Sequence, residues 1–318
     1  MLGARLPLAV AAGFAADGPV AVFHPPVGVD LSAVEAHVIS PLATVHAACP
    51  SATTDAAGRY GAAIVCAPRA KAEARALIAS AMEVTDGLVL IDGQKTDGID
   101  SLLREVRQRT PVAAPIAKAH GKAFWLPSTD AFADWAQGPA MTPGGFWTAP
   151  GVFSADGIDD GSAMLAEALP QRLPGQVVDL GAGWGMVSAH VLTRPEVTAC
   201  HLVEAHHLAL ECAKRNVTDP RAQYHWADAT TWTASGRVDH VVMNPPFHTG
   251  RSADPSLGHA FIAAAARLLA PQGRLWMVAN RHLPYEGALS SAFAHVEEIG
   301  GDTRFKLTLA AKPRQRRR

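Results

Sequence analysis

Four short strand-like runs in the second half of the chain, three of them mostly apolar, each end at a side chain that accepts hydrogen bonds, and this order restricts the fold more than any other feature. The run at 176–180 contains Asp179. Those at 200–203, 223–226 and 238–243 run into Glu204, Asp228 and Asn244. Short runs rich in Val and Leu read as strands buried on both faces of a parallel sheet. The carboxyl ends of such strands lie along one rim, where ligands of α/β sheets bind. Four acceptors at four successive carboxyl ends therefore read as one site.

The first run continues into Asp179-Leu-Gly181-Ala-Gly183-Trp-Gly185, with a helix expected from about Met186. Glycines at a strand-to-helix turn let the backbone approach a ligand, and the helix start presents free N–H groups. A dinucleotide fold calls for Gly-x-Gly-x-x-Gly. Here the third glycine comes one residue early, and Asp179 would repel a pyrophosphate. An acid at that point favours a cation, such as a sulfonium with an amino-acid tail; a simple packing turn is the alternative. Glu204 can accept both hydroxyls of a ribose or stand as a solvated strand end. Asp228 can accept from an adenine amino group or cap a helix.

The fourth run reads VVMNPPFHTG over 241–250. Asn244 offers a side-chain carbonyl, and Pro245 a backbone carbonyl on a residue with no N–H. Two adjacent acceptors suit a planar amino group. Pro246 stiffens the turn, and Phe247 adds a flat face on which an aromatic base can stack. His248 can touch the base or a phosphate, or make a loop hydrogen bond. A strand that stops at a stiff turn is the structural alternative for the whole motif.

The chain has 318 residues, enough for two domains. Its first half alternates strands (19–23, 60–66, 88–91) with helices (31–39, 71–82, 99–109), which implies a parallel sheet covered on both faces. Pro and Gly accumulate between 127 and 150, and periodicity is lost. The expected division is a first domain over 1–135, a linker over 136–150, a second domain over 151–311 and a basic tail over 312–318. Asp159 or Asp160 can cap a helix through Ala168. Two late strands, 293–299 and 304–310, flank Gly300-Gly301-Asp302 as a hairpin.

The halves look like distant copies. GAAIVCAPRA (61–70) matches VVMNPPFHTG, and DGLVLID (86–92) matches GRLWMVAN (273–280). The first half lacks the glycine triplet and carries Ala67-Pro68 where the second has Asn-Pro-Pro-Phe. Chance likeness between apolar strands is the alternative.

Apolar residues make up 48% and charged residues 18%, with a net charge of −1, so there is no global basic field. Contact with nucleic acid would need a local patch; five of the last seven residues, from Lys312 onward, are basic. The four cysteines are scattered without a Cys-x-x-Cys pair, and no His-Glu-x-x-His occurs. That pattern argues against a disulfide frame or a metal site and suits a reducing, cytoplasmic setting. Arg5 followed by LPLAVAAGFAA imitates a signal peptide, but a helix leading into a strand accounts for it equally well. No apolar run approaches the ~20 residues of a membrane helix.

PGVFSADGIDDGS (150–162), DLGAGWG (179–185), NPPFHTG (244–250), VANRHLPYE (278–286) and TRFKL (303–307) occur in that order. With them the second half resembles class I S-adenosylmethionine-dependent methyltransferases, and more narrowly the ribosomal RNA small subunit methyltransferase C (guanine-N2) family. The resemblance implies an α/β chain of two tandem Rossmann-like methyltransferase domains, the N-terminal one degenerate. The C-terminal one would hold a mostly parallel seven-stranded sheet ending in an antiparallel hairpin. It implies S-adenosylmethionine as cofactor, with Asp179, Gly181, Gly183 and Gly185 at its methionine portion, Glu204 at the ribose and Asp228 at the adenine. Phe153 and Asn244 would line the cofactor side. Asn244, Pro245 and Phe247 would carry the reaction, with Pro246, Phe247 and His248 against the substrate base. The implied partner is ribosomal RNA or a ribosomal subunit, met by a monomer without metal or membrane. Trp184 in the glycine turn and Arg281-His282 depart from the family pattern. Adenine N6 or protein glutamine is the alternative amino group, and a non-catalytic RNA-binding or assembly factor the alternative class.

Overall fold

The structure, a computed structural model, describes residues 2–246 and 255–314. The chain divides into two compact units between Gly138 and Pro139.

In the first unit, α1 (Leu2–Ala11) precedes β1 (Val20–Phe23), β2 (Ala36–Ile39), α2 (Ala43–Ala48), β3 (Tyr60–Cys66) and α3 (Lys71–Val84). Then come β4 (Thr85–Gln94), α4 (Ile99–Arg109), β5 (Ile116–Lys118) and β6 (Gly121–Pro127). The sheet runs β2-β1-β3-β4-β6-β5, with β1 to β4 parallel and β6 and β5 antiparallel.

Two features differ from the sequence reading. The helix expected over 31–39 is instead the strand β2, paired with β1 from Val20↔Ala36 to Phe23↔Ile39. Val38 and Ile39 are β-branched and stiff, and Pro41 disfavours a helical Ser40, so the segment extends. The β5–β6 hairpin had no sequence signal. Its turn residues, Ala119 and His120, both have positive φ (49° and 55°) without the Asn-Gly or Gly that usually marks such a turn. The N-terminal stretch is the helix α1. Its Arg5 is fully buried, donating from Nε and Nη2 to the two oxygens of Asp92 at 2.6 and 2.9 Å. Among the described residues no helix is long and apolar enough to cross a membrane.

The second unit opens with a two-stranded ribbon, β7 (Ala140–Met141) and β8 (Trp147–Thr148), so the Pro/Gly-rich stretch carries structure of its own. There follow α5 (Asp160–Ala168), β9 (Gly175–Leu180), α6 (Met186–Val191), β10 (Val197–Glu204), α7 (His207–Asn216) and β11 (Ala222–Trp226). The remainder is β12 (Val238–Met243), α8 (Pro255–Leu268), β13 (Leu269–Asn280), α9 (Glu286–Ala292), β14 (Phe293–Gly301) and β15 (Phe305–Pro313). Among the described residues these strands form a seven-stranded sheet in the order β11-β10-β9-β12-β13-β15-β14. Five strands are parallel, and β15 and β14 close the sheet as an antiparallel pair.

Strand order reverses between β9 and β12, and a crevice opens there at the carboxyl ends. Alternation along the strands decides what faces which layer. Val178, Leu180, Val241 and Met243 pack with Phe261 and Ile262 of α8. Val177 and Val242 pack on the other side with Leu165 of α5, Val187 of α6 and Leu210 of α7. Asp179 is directly opposite Val242 in the ladder, so Asp179 and Asn244 share the face covered by α5 and α6.

The first sheet repeats the second with its outermost strand missing: β2-β1-β3-β4-β6-β5 maps onto β10-β9-β12-β13-β15-β14. β3 takes the place of β12 and β4 that of β13, the two matches drawn from the sequence.

Candidate active site

Asp179, one residue before the end of β9, is 3% exposed, and its Oδ2 accepts from Ser188 Oγ of α6 at 2.6 Å. Burial pushes its pKa up to about 7, with the Ser188 bond pulling it down and the nearby Glu204 carboxylate adding to the rise. A carboxylate kept out of water and facing a cavity is stabilised by a cation or by strong donors.

The turn that follows is left-handed at Gly181, Gly183 and Gly185, with φ of 73°, 54° and 89°. At Gly185, before the first residue of α6, a Cβ would lie 2.9 Å from Val217 Cγ2, so no larger residue fits without a shift. Gly183 has nothing within 4 Å of the place its Cβ would take, and it lines a cavity. Its N–H donates to Glu204 Oε2 at 2.8 Å, while Glu204 Oε1 accepts from the His206 N–H at 2.8 Å. Burial raises the Glu204 pKa, and these backbone donors oppose the rise. Glu204 thus braces the turn and keeps lone pairs on both oxygens, since each can accept twice.

Trp184, the departure noted within the turn, buries its ring among Ala149, Val152, Ala209 and Cys212. Its Nε1 donates to the Phe153 carbonyl at 2.9 Å, tying segment 147–157 to the turn. The Phe153 side chain is 54% exposed at the cavity's edge. Asn216 of α7 fastens the same segment through Trp147 N, Trp147 O and Trp184 O.

Asn244 directly follows β12. Its Nδ2 donates to Asp159 Oδ2 and to Ser162 Oγ, both at 2.9 Å. With both amide protons committed, the carbonyl Oδ1 is the acceptor left to a ligand. Pro245 is buried and Pro246 exposed. Phe247 and His248 lie outside the described residues, as does most of the basic tail.

An open cavity joins these parts, lined by Phe153, Asp159, Asp179, Gly181, Gly183 and Asn244 among others. Of the residues singled out in the sequence, it gathers Phe153, Asp179, Gly181, Gly183 and Asn244. Glu204 and Gly185 are not among its walls. Asp228 is not among its walls: Oδ1 accepts from Thr230 N at 2.8 Å and Thr230 Oγ1 at 2.7 Å, which closes a local turn. Three contributors were not read from the sequence. Ser188 is one ordinary serine in a helix. Ser162 and the second role of Asp159 depend on a partner more than eighty residues away, whereas Asp159 as a helix cap was legible and holds, accepting from Ser162 N at 2.8 Å. Among the described residues no group of three or more His, Cys, Asp or Glu is placed to hold a metal.

The donor set fits a cation that also carries hydrogen-bond donors. It has a buried carboxylate, a left-handed glycine turn with open space above it, and a fixed amide carbonyl.

Comparison with known proteins agrees with this geometry. The methyltransferase small domain profile matches residues 144–309. A ribosomal RNA small subunit methyltransferase C of Shewanella sp. (strain MR-4) is 29% identical over 263 residues, covering 78% of this chain and 76% of that one. The protein of the same name from Alteromonas mediterranea is 34% identical over 164 residues, 50% of this chain and 44% of that one. Among solved structures, a T. thermophilus 16S rRNA N2 methyltransferase in complex with AdoMet and guanosine superposes with a TM-score of 0.75 at 22% identity. The match covers 95% of this chain and 90% of that one, and likeness at that identity speaks for the fold. The profile spans more than half of the sequence, and the chain belongs to the methyltransferase small domain family.

Proposed function

We propose that the chain transfers a methyl group from S-adenosylmethionine to the exocyclic N2 amine of a guanine in ribosomal RNA, that of the small subunit. The observation that carries the proposal is Asn244, its Nδ2 engaged by Asp159 and Ser162 at the edge of the cavity that Asp179 and the glycine turn also line. The names of the relatives support the same substrate.

When bound, S-adenosylmethionine supplies an electrophilic methyl carbon, and the electron pair of its S–CH3 bond returns to sulfur as the new N–C bond forms. Asp179 faces the cationic portion of that donor, and the turn from Gly181 to Gly185 lets it approach the backbone. Glu204 takes the ribose hydroxyls. Asp228 takes the adenine amine through Oδ2, because Oδ1 is held by Thr230.

Asn244 Oδ1 and the Pro245 carbonyl accept the two protons of the guanine amine. Its lone pair, delocalised into the ring in free guanine, is then aimed at the methyl carbon. Such alignment is worth on the order of 7–11 kcal/mol in ideal intramolecular cases. Positive charge grows on the nitrogen during transfer, and acceptors already pointed at it stabilise that charge without reorganising. The extra proton then leaves to water, so no strong base is required. Phe247 and Pro246 hold the base after it leaves its RNA stack, with His248 at the base or its phosphate. The four cysteines are free thiols, which suits work in the reducing cytoplasm.

The test is transfer of tritiated methyl to small-subunit RNA, whole ribosomal subunits, DNA and release factor, followed by nucleoside mass analysis. N2-methylguanosine in small-subunit RNA is the expected product. Label confined to adenine, DNA or protein glutamine would refute the assignment.

A further inference from the structure

An amide side chain has two nearly isosteric orientations, and a catalytic asparagine works in only one of them. With Oδ1 toward the substrate, Asn244 accepts from the incoming amine. With Nδ2 there, two NH2 groups face each other and the substrate is repelled. Something in the protein has to fix the orientation before the substrate arrives.

We propose that Asp159 and Ser162 are positioning residues that lock the Asn244 amide with its carbonyl toward the substrate; this rests on the methyl-transfer reading above. Asp159 lies at the end of a segment led by exposed Phe153 and Ile158, and its Oδ2 is in a fixed place. It accepts from the Ser162 N–H at 2.8 Å as the N-cap of α5 and from Asn244 Nδ2 at 2.9 Å. A carboxylate has no donor, so it rejects the flipped amide outright. Ser162, 8% exposed, takes the second amide proton on Oγ at 2.9 Å. Gly161 between them leaves room for this arrangement: a Cβ there would stand 3.0 Å from the Phe305 ring and 3.1 Å from Asp159 Oδ2, so one of the two would have to move by a few tenths of an ångström. The carboxylate also acts through the amide. A charge-assisted bond to Nδ2 draws electron density toward Oδ1 and strengthens it as an acceptor while the substrate nitrogen becomes positive.

Two variants separate orientation from charge. Asp159→Ser keeps an N-cap for α5 but is too short to reach Asn244; Asp159→Asn keeps the acceptor and loses the charge. In Asp159→Ser, kcat falls about 100-fold, the scale set by small misplacements of reacting groups. The S-adenosylmethionine Kd, measured by calorimetry, moves less than about threefold. In Asp159→Asn, kcat falls about five- to tenfold, the difference between charged and neutral hydrogen bonds. Placed in an Asn244→Ala background, Asp159→Ser adds no further loss, because its effect passes through the missing amide.

A Kd weakened tenfold or more with kcat retained would make Asp159 a donor-binding residue and overturn the proposal. An undiminished 100-fold loss in the Asn244→Ala background would do the same. A readout independent of any RNA is the Asn244 side-chain NH2 signal in 15N NMR of the full chain. The wild type should give a resolved, slowly exchanging pair, and Asp159→Ser a solvent-averaged one. If the wild type methylates no ribosomal RNA, the functional reading falls, and the NMR comparison still decides for or against the clamp.

Discussion

Asp179→Asn should make the protein more stable at alkaline pH while removing its capacity to hold the donor. The wild-type carboxyl is pushed from 3.8 up to about 7 in the folded state. Between those values the folded chain retains a proton that the unfolded chain has released. Stability therefore falls as pH rises through this window, and the loss is complete above about 7. At about 1.4 kcal/mol per pH unit, the buried charge costs about 4 kcal/mol at pH 8.5. Asparagine has the same shape and can still accept from Ser188 Oγ, but its new NH2 has to find a partner, at a cost of about 1–3 kcal/mol if it does not. The net gain is about 2 kcal/mol at pH 8.5, or roughly 4–8 °C in Tm for a unit of this size. At pH 4 the folded wild type is protonated at this position, the charge cost is nearly gone, and only the cost of the new NH2 remains, so the gain disappears and the variant becomes the less stable form. Thermal unfolding of the full chain, followed by tryptophan fluorescence without ligand at both pH values, measures the difference. Trp184 and Trp276 are buried in the second unit and report its transition. A variant with the same Tm offset at both pH values, or one less stable than wild type at pH 8.5, would refute a charge held at a loss for binding.

Donor affinity in the wild type should rise about tenfold per pH unit up to about 7 and then level, because the ionised Asp179 is the form that meets a cation; calorimetry giving a flat profile would dismiss that role. Asn244→Ala should lower kcat by about 100- to 1000-fold, the range for losing one group aimed at transition-state charge, and single-turnover assays with wild-type-like rates would exclude the amide. Arg5→Met should destabilise the first unit by about 3–5 kcal/mol, since Asp92 (4% exposed) would be left buried without its partner; an unchanged urea midpoint would contradict this. Calorimetric titration should give one donor per chain, and a second equivalent of comparable affinity would show that the first unit keeps a site.

Where the sequence was legible, a local rule and the tertiary context pointed the same way. β12 ends in three apolar residues, β-branched at Val241 and Val242, and a proline pair follows at once after Asn244, so strand, end and rim position followed together. The hairpin of β14 and β15 followed from two glycines and an aspartate. β2 failed because Val34, Val38 and Ile39 satisfy helical spacing, while the β1 edge that pairs with them lies outside any local window. The turn at Ala119-His120 failed because neither residue advertises positive φ. In the site, the strand pattern sufficed to put Asp179 and Asn244 at carboxyl ends on one rim, while their adjacency comes from the sheet order that pairs β9 with β12. The partners that hold them, Ser188, Asp159 and Ser162, are chosen by helix packing, which no strand pattern encodes.

The two units test how much of the chemistry the fold itself supplies. If Ala67 is aligned with Asn244, Val65 takes the place of Val242, and its ladder partner Phe23 takes the place of Asp179. The first sheet thus has a phenyl ring where the second has a buried acid, and a methyl group where the second has an amide. Its own buried acid, Asp92, is on another strand and is neutralised by Arg5. The order of strands, the reversal and the crevice are common to both units, so topology creates a place for a ligand without deciding what is bound. That decision lies in two side chains at adjacent strand ends. Each is costly to its own unit, one as a buried charge and the other as an amide needing two dedicated acceptors, and such costs are expected where a fold performs chemistry.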